Sequence, residues 1–125
     1  MVTVKELDTA AFGKPGGETC EPSQARPIDL VHLSRQTLGD RALEQEVLHM
    51  FAQQLATARE RLAAADEGER RMIAHTLKGT ARGIGAFRLG DCAAAIEDKP
   101  TDKAQISRLS RLIDEVRDFV AAINR

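Results

Sequence analysis

The sequence has no tryptophan and no tyrosine, and aromatic residues make up only 3% of it. Apolar residues still reach 42%, so a core has to be assembled from Leu, Ile, Val and Ala. That filling suits packed helices better than a sheet. Proline is missing between Pro27 and Pro100, which leaves room for long helices. No apolar run approaches the ~20 residues that a membrane span requires. The first residues lack a basic stretch followed by an apolar one, so no secretory leader is expected. An excess of either charge is lacking too: 18 basic residues face 19 acidic ones, for a net charge of -1. Nucleic acid and anionic membrane are therefore not expected partners, and any positive field has to be local. The two cysteines, Cys20 and Cys92, make no CxxC and no metal pattern with the three histidines. Cys92 reads as a small core residue and Cys20 as a free thiol. The expectation is a cytoplasmic chain that holds no metal and no cofactor of its own.

A length of 125 residues implies one domain. Residues 1–27 differ from the rest, because Gly13, Pro15, Gly16, Gly17, Pro22 and Pro27 break any periodicity. They read as an N-terminal tail. Its first dozen residues could form one turn around Val4, Leu7 and Phe12 and pack, through Phe12, onto a groove of the domain. Residues 28–125 carry helical patterns. Asp29 and Asp40 are N-cap candidates, the first for a short helix near 28–35. Over 41–65, Leu48, Phe51, Leu55, Ala58 and Leu62 recur at steps of three and four. Asp66 and Glu69 have capping-box spacing before a third segment, about 67–83. Gly83 and Gly85 favour its end, and Gly83 could shorten it by a turn. Ala86, Leu89, Ala93 and Ile96 mark a fourth segment to about Asp98. Asp102 opens a fifth, striped by Ile106, Leu109, Ile113, Val116 and Val120. The expected fold is all-α: an antiparallel up-and-down four-helix bundle with a short additional N-terminal helix. Such a bundle buries its own apolar faces, so a monomer is expected.

The third segment splits into two faces. At about 100° per residue, Ile73, Leu77 and Ile84 fall within roughly 20° of one line, and His75 points the opposite way. Arg71, Lys78, Gly79 and Arg82 lie within about 60° of His75. Gly79 sits inside the helix, where glycine costs on the order of 1 kcal/mol relative to alanine. Room for a close partner is the simplest compensation. His32 and His49 lack such surroundings and read as surface or core residues.

An imidazole among cations and beside a bare backbone narrows the chemistry. A metal site needs further ligands at local spacing, and none are present. A hydrolytic triad needs an oriented nucleophile; Thr76 points about 100° away, and no local acid adjoins His75 on its face. A neutral imidazole nitrogen is itself a nucleophile and can accept a phosphoryl group. Lys78 and Arg82 could then neutralise the non-bridging oxygens. Nothing resembles a nucleotide-binding glycine loop or an Asp-rich magnesium site, so no autokinase activity is expected. Two alternatives stay open on these residues: a helical adaptor that binds its partner without carrying phosphate, and a purely structural bundle.

The stretch His75-Thr-Leu-Lys78-Gly79-Thr-Ala-Arg-Gly-Ile-Gly85-Ala resembles the signature of histidine phosphotransfer (HPt) domains of two-component phosphorelays. Leu89, Cys92 and Glu97 continue the likeness, which covers roughly residues 28–124. The resemblance implies a four-helix bundle that takes phosphoryl from a receiver-domain aspartate and relays it to, or back from, a response regulator. It implies His75 as phospho-acceptor, Lys78 as an aid to transfer or docking, Gly79 as clearance for the approach, and Gly85 as the turn between the third and fourth helices. Arg82-Gly83 departs from the small-then-polar pair of many members. The implied partners are receiver domains of a response regulator and of a hybrid histidine kinase, and these supply the acidic pocket and the magnesium. Met72, with Leu48 or Met50, is the local candidate for an apolar docking rim.

Overall fold

The computed structural model describes residues 26–124. Phe12 and Cys20, with the rest of the N-terminal stretch read above as a tail, lie outside the described residues. Among the described residues the regular elements are five helices: α1 (Leu30–Gln36), α2 (Arg41–Ala64), α3 (Glu67–Ile84), α4 (Phe87–Asp98) and α5 (Lys103–Ile123). Four of the five start on an aspartate whose side chain accepts from backbone N–H groups of the first turn. Asp29 caps α1, Asp40 caps α2, Asp66 caps α3 and Asp102 caps α5. Each satisfies donors that the helix cannot satisfy itself. α4 has no side-chain cap.

The connections after α2, α3 and α4 are only a few residues long, so consecutive long helices run antiparallel. α2 packs against α3 and α5, and α4 packs against α3 and α5, which closes the four-helix ring. Leu55 and Leu62 of α2, Leu77 of α3, Leu89 and Ile96 of α4, and Leu109 and Ile113 of α5 are among the fully buried side chains. Phe51 is the one aromatic ring among the core residues, as a sequence poor in rings requires. Cys92 is buried, and burial pushes its thiol up from the ordinary value.

α3 and α4 make the tightest pair. Ala74 and Ala81 of α3, with Ala86, Gly90 and Ala93, let the two backbones approach. A Cβ added at Gly90 would stand 3.0 Å from Arg82 Cγ and 3.6 Å from the Lys78 carbonyl oxygen. The α3–α4 corner turns at Gly85, whose φ of 107° is left-handed. An added Cβ there would also lie 2.9 Å from the Asp29 carbonyl oxygen. Asp29 N–H donates to the Gly85 carbonyl at 2.9 Å, so the segment entering α1 is stitched onto this corner, with Ile28 buried beneath it. His32 adds a second stitch: Nε2 hydrogen-bonds the Gly83 carbonyl at 3.0 Å, and its ring meets Phe87 edge-on. α3 continues through Gly83 to Ile84. The shortening expected there does not occur, because Gly83 keeps helical geometry and the left-handed residue is Gly85. α1 is thus a small cap over one end of the bundle.

Candidate functional site

His75 lies midway along α3, facing away from the core, with its side chain 68% exposed. Ile73, Ala74, Leu77 and Ala81 are the buried residues around it on the same helix, which fixes which face looks outward. Gly79 follows one turn later. A Cβ added there meets nothing within 4 Å, so the bundle itself does not require a glycine at this position.

The site's central contact comes from the next helix. Glu97, on the last turn of α4, places Oε2 2.7 Å from His75 Nδ1 and Oε1 2.7 Å from Lys78 Nζ. The carboxylate therefore spans the α3–α4 interface and holds two residues one turn apart. Lys78 and then His75, through their hydrogen bonds, hold the Glu97 carboxyl below its usual range. An ionised carboxylate has no proton to give, so Nδ1 is the donor of its bond. In the neutral ring this leaves the lone pair on Nε2, and no hydrogen bond from the described residues occupies that nitrogen. The arrangement is a fixed tautomer with its basic nitrogen presented outward.

The sequence marks Glu97 only through the family likeness; its contact with His75 is not expected there, because helical spacing relates residues of one helix and Glu97 lies on the next. A signal was available. His75 precedes Gly85 by ten residues and Glu97 follows Ala86 by eleven, so the two face each other across an antiparallel hairpin. The expectation of an unopposed cationic strip is corrected accordingly: Lys78 is paired with Glu97. Arg82 is also engaged, its guanidinium 3.4 Å from Asp91 and its stem lying over Gly90. Arg82 stands about 10 Å beyond His75 along the helix, at 1.5 Å per residue. The structure thus joins His75 and Lys78 through Glu97, leaves Gly79 bare beside them, and ties Arg82 to α4.

A groove of about 310 Å³ runs beside this face between α2 and α3. Ala58, Met72, Ile73 and Leu77 supply its apolar lining, and Gln54 and Arg61 polar parts of it. Met72 is 72% exposed, so it is not core filler. Met50 is exposed as well, but Leu48 is buried, which removes it from any docking rim. Among the described residues no group of three or more His, Cys, Asp or Glu side chains could hold a metal ion, and no helix is long and apolar enough to cross a membrane.

Searches of curated proteins and of solved structures returned no match. The Hpt domain family model matches residues 42–124, from the start of α2 to the end of α5. That span contains all four helices of the ring, together with His75, Lys78, Gly79 and Glu97. An all-α bundle, an outward histidine with one nitrogen held, and a family match over most of the sequence agree: the chain belongs to the Hpt domain family, whose members relay phosphoryl groups in two-component signalling.

Proposed function

We propose that His75 is the phosphoryl acceptor of this relay protein and that it reacts through Nε2. One observation carries the reading: the Glu97 carboxylate fixes Nδ1 as donor on a ring that is otherwise exposed. The donor is a phosphorylated aspartate in a receiver domain. Nε2 attacks phosphorus, the P–N bond forms, and the P–O bond to the aspartyl carboxylate breaks. The carboxylate leaves with the electron pair. The reverse step returns phosphoryl to an aspartate. Magnesium, held by the receiver, would supply charge neutralisation at the transferring group.

The chain's own residues do the rest. Glu97 keeps its hydrogen bond to Nδ1–H as positive charge develops on the ring, which lowers the barrier electrostatically. Lys78 is within one turn of His75 and meets the phosphoryl oxygens as they arrive. Gly79 lets the receiver backbone come close. The α2–α3 groove with Met72 at its lip is the docking surface for the receiver. Arg82 acts at the edge of that surface, steadied by Asp91. The functional unit starts at Ile28 rather than at the family boundary, since Ile28 is buried and Asp29 is bonded to Gly85. The unit works as a monomer in the cytoplasm, and its partners are receiver domains of a response regulator and of a hybrid kinase.

The test is phosphoryl transfer from a phosphorylated receiver domain to the wild type and to His75→Ala. The variant is expected to take up no acid-labile phosphate while keeping its helical signal. Undiminished uptake by His75→Ala would overturn the assignment. Equal receiver binding by both proteins, with phosphate on neither, would instead make the chain a non-phosphorylated adaptor.

A further inference from the structure

α3 and α4 form a hairpin with its corner at Gly85 and its other end open. Each step back along α3 is matched by one forward along α4. Gly90 lies beside Ala81 and Arg82 near the corner, and Glu97 meets His75 and Lys78 further out. Glu97 stands eleven residues past Ala86, or about 16 Å from the corner. At that radius an opening of about 3° displaces its carboxylate by about 0.8 Å. Such a shift carries a 2.7 Å hydrogen bond out of its working range, so the open end has to be held as well.

Arg70 holds it. In the first turn of α3 it shares the α4-facing side with the buried Ala74 and Ala81. Its Nη1 donates to the Pro100 carbonyl at 3.4 Å, and Pro100 is buried in the turn that follows α4. Among the described residues no other hydrogen bond joins α3 to the chain beyond Glu97. Arginine is a costly residue at this place. Its Nε is buried and has no hydrogen-bond partner, and among the described residues no carboxylate pairs with its guanidinium. A buried N–H without an acceptor destabilises a fold, and an unbranched apolar side chain fills such space without that loss. Stability of the bundle therefore does not account for Arg70, whereas a long donor that reaches the Pro100 carbonyl does.

We propose that Arg70 is a positioning residue for the phosphotransfer site: by binding Pro100 it closes the open end of the α3–α4 hairpin and keeps Glu97 at hydrogen-bond distance from His75. This rests on the reading of the Glu97 carboxylate as the group that fixes the proton on Nδ1. Arg70 does not touch the ring; it stands five residues earlier on α3, about 7 Å along the helix and roughly 140° around it. Without the tie the end of α4 swings and the Nδ1–H bond is lost for part of the time. The ring then samples the tautomer that carries its proton on Nε2, which presents no lone pair at the outward nitrogen. Transfer slows because fewer rings are ready to attack phosphorus.

The test compares Arg70→Met with the wild type in the full chain. The readouts are urea unfolding, 15N spectra of labelled histidine, and transfer from a phosphorylated receiver domain. The spectra are taken at about pH 8.5, two units above the ordinary histidine value, and His75→Ala identifies the His75 signals. The wild type is expected to carry its proton on Nδ1. In Arg70→Met the unfolding midpoint is expected to stay level or rise, and the Nδ1 and Nε2 shifts of His75 to move toward each other. Transfer is expected to slow about three- to tenfold, less than for loss of Glu97 itself. That slowing is expected to vanish in the Glu97→Gln background, as coupling between the two residues requires. Unmoved His75 shifts in Arg70→Met overturn the proposal, and so does equal slowing in both backgrounds. If Arg70→Met unfolds, Arg70→Gln takes its place; unfolding of both makes Arg70 a structural residue and overturns the proposal too. A wild-type ring with its proton on Nε2 overturns the Glu97 reading and this proposal with it. Absence of phosphate on His75 in every protein places the failure in the phosphotransfer reading, and the 15N shifts alone then decide for or against Arg70.

Discussion

His75 Nδ1 and Glu97 Oε2 are 2.7 Å apart, joined across the α3–α4 interface by residues that lie on different helices. The same carboxylate binds Lys78 through its other oxygen. Removing Glu97 therefore acts on tautomer and cation together. Glu97→Gln is expected to slow phosphoryl uptake by about 10- to 100-fold, the usual cost of losing a partner that orients a functional histidine. The helical signal should be unchanged, since Glu97 is partly exposed and not core. Transfer kinetics from a phosphorylated receiver, read beside circular dichroism, check this. A rate equal to wild type would show that the hydrogen bond does not prepare the nucleophile.

Lys78 has a separate consequence. Lys78→Ala removes the nearest cation and leaves Glu97 bonded to the histidine alone. Transfer is expected to slow by about tenfold or more, by loss of charge neutralisation. The fold should persist, because among the described residues the Lys78 ammonium pairs with Glu97 alone, at the surface. Collapse of the helical signal would mark Lys78 as a structural residue.

The two glycines Gly79 and Gly85 are expected to respond in opposite ways. Gly79→Ala introduces a Cβ into open space, so the helix gains about 1 kcal/mol and the melting temperature rises. Gly79→Leu should obstruct receiver docking more than it harms stability. Receiver affinity measured for both variants decides the point: unchanged affinity in Gly79→Leu would remove Gly79 from the docking surface.

At Gly85 a side chain meets both a left-handed φ and a carbonyl oxygen at 2.9 Å. Gly85→Ala is expected to destabilise the fold by about 1–3 kcal/mol. Urea unfolding measures the loss. A midpoint equal to wild type would mean that the corner between α1, α3 and α4 relaxes without cost.

Acid should weaken the bundle through two carboxylates. Arg59 binds Asp114 in a paired geometry, with both N–O distances 2.9 Å, and holds its carboxyl below the ordinary 3.8. Lys78 and His75 hold Glu97 below the ordinary 4.5. A carboxyl with a depressed folded value binds fewer protons folded than unfolded. Its stabilisation is present above the unfolded value and is lost as pH falls through the folded one. Unfolding midpoints should therefore drop below about pH 4.5, and Asp114→Asn should flatten part of that drop. An identical pH profile in Asp114→Asn would exclude this pair as a source.

Much of the architecture was legible before any coordinates. Apolar steps of three and four, aspartate caps at 29, 40, 66 and 102, and short breaks specify helices whose ends are set locally. His75 was legible for the same reason: direction around a helix follows from residue number. Cys92 is buried as expected, on the helix face that carries Leu89 three residues before it and Ile96 four after. Helix periodicity could not say which helices touch, so His32 looked featureless until α1 was laid against Gly83.

The sequence by itself determined the helices, their caps, the buried stripe and the outward histidine, because each depends on interactions within a few residues. The tertiary structure alone decided that the imidazole has a carboxylate partner, that Lys78 shares it, and that Asp91 holds Arg82. Those contacts join α3 to α4, and their geometry is set by how closely Ala81 and Gly90 let the two backbones pack. Short-range propensity carries no record of that distance, whereas a hydrogen bond exists or fails within a few tenths of an ångström of it.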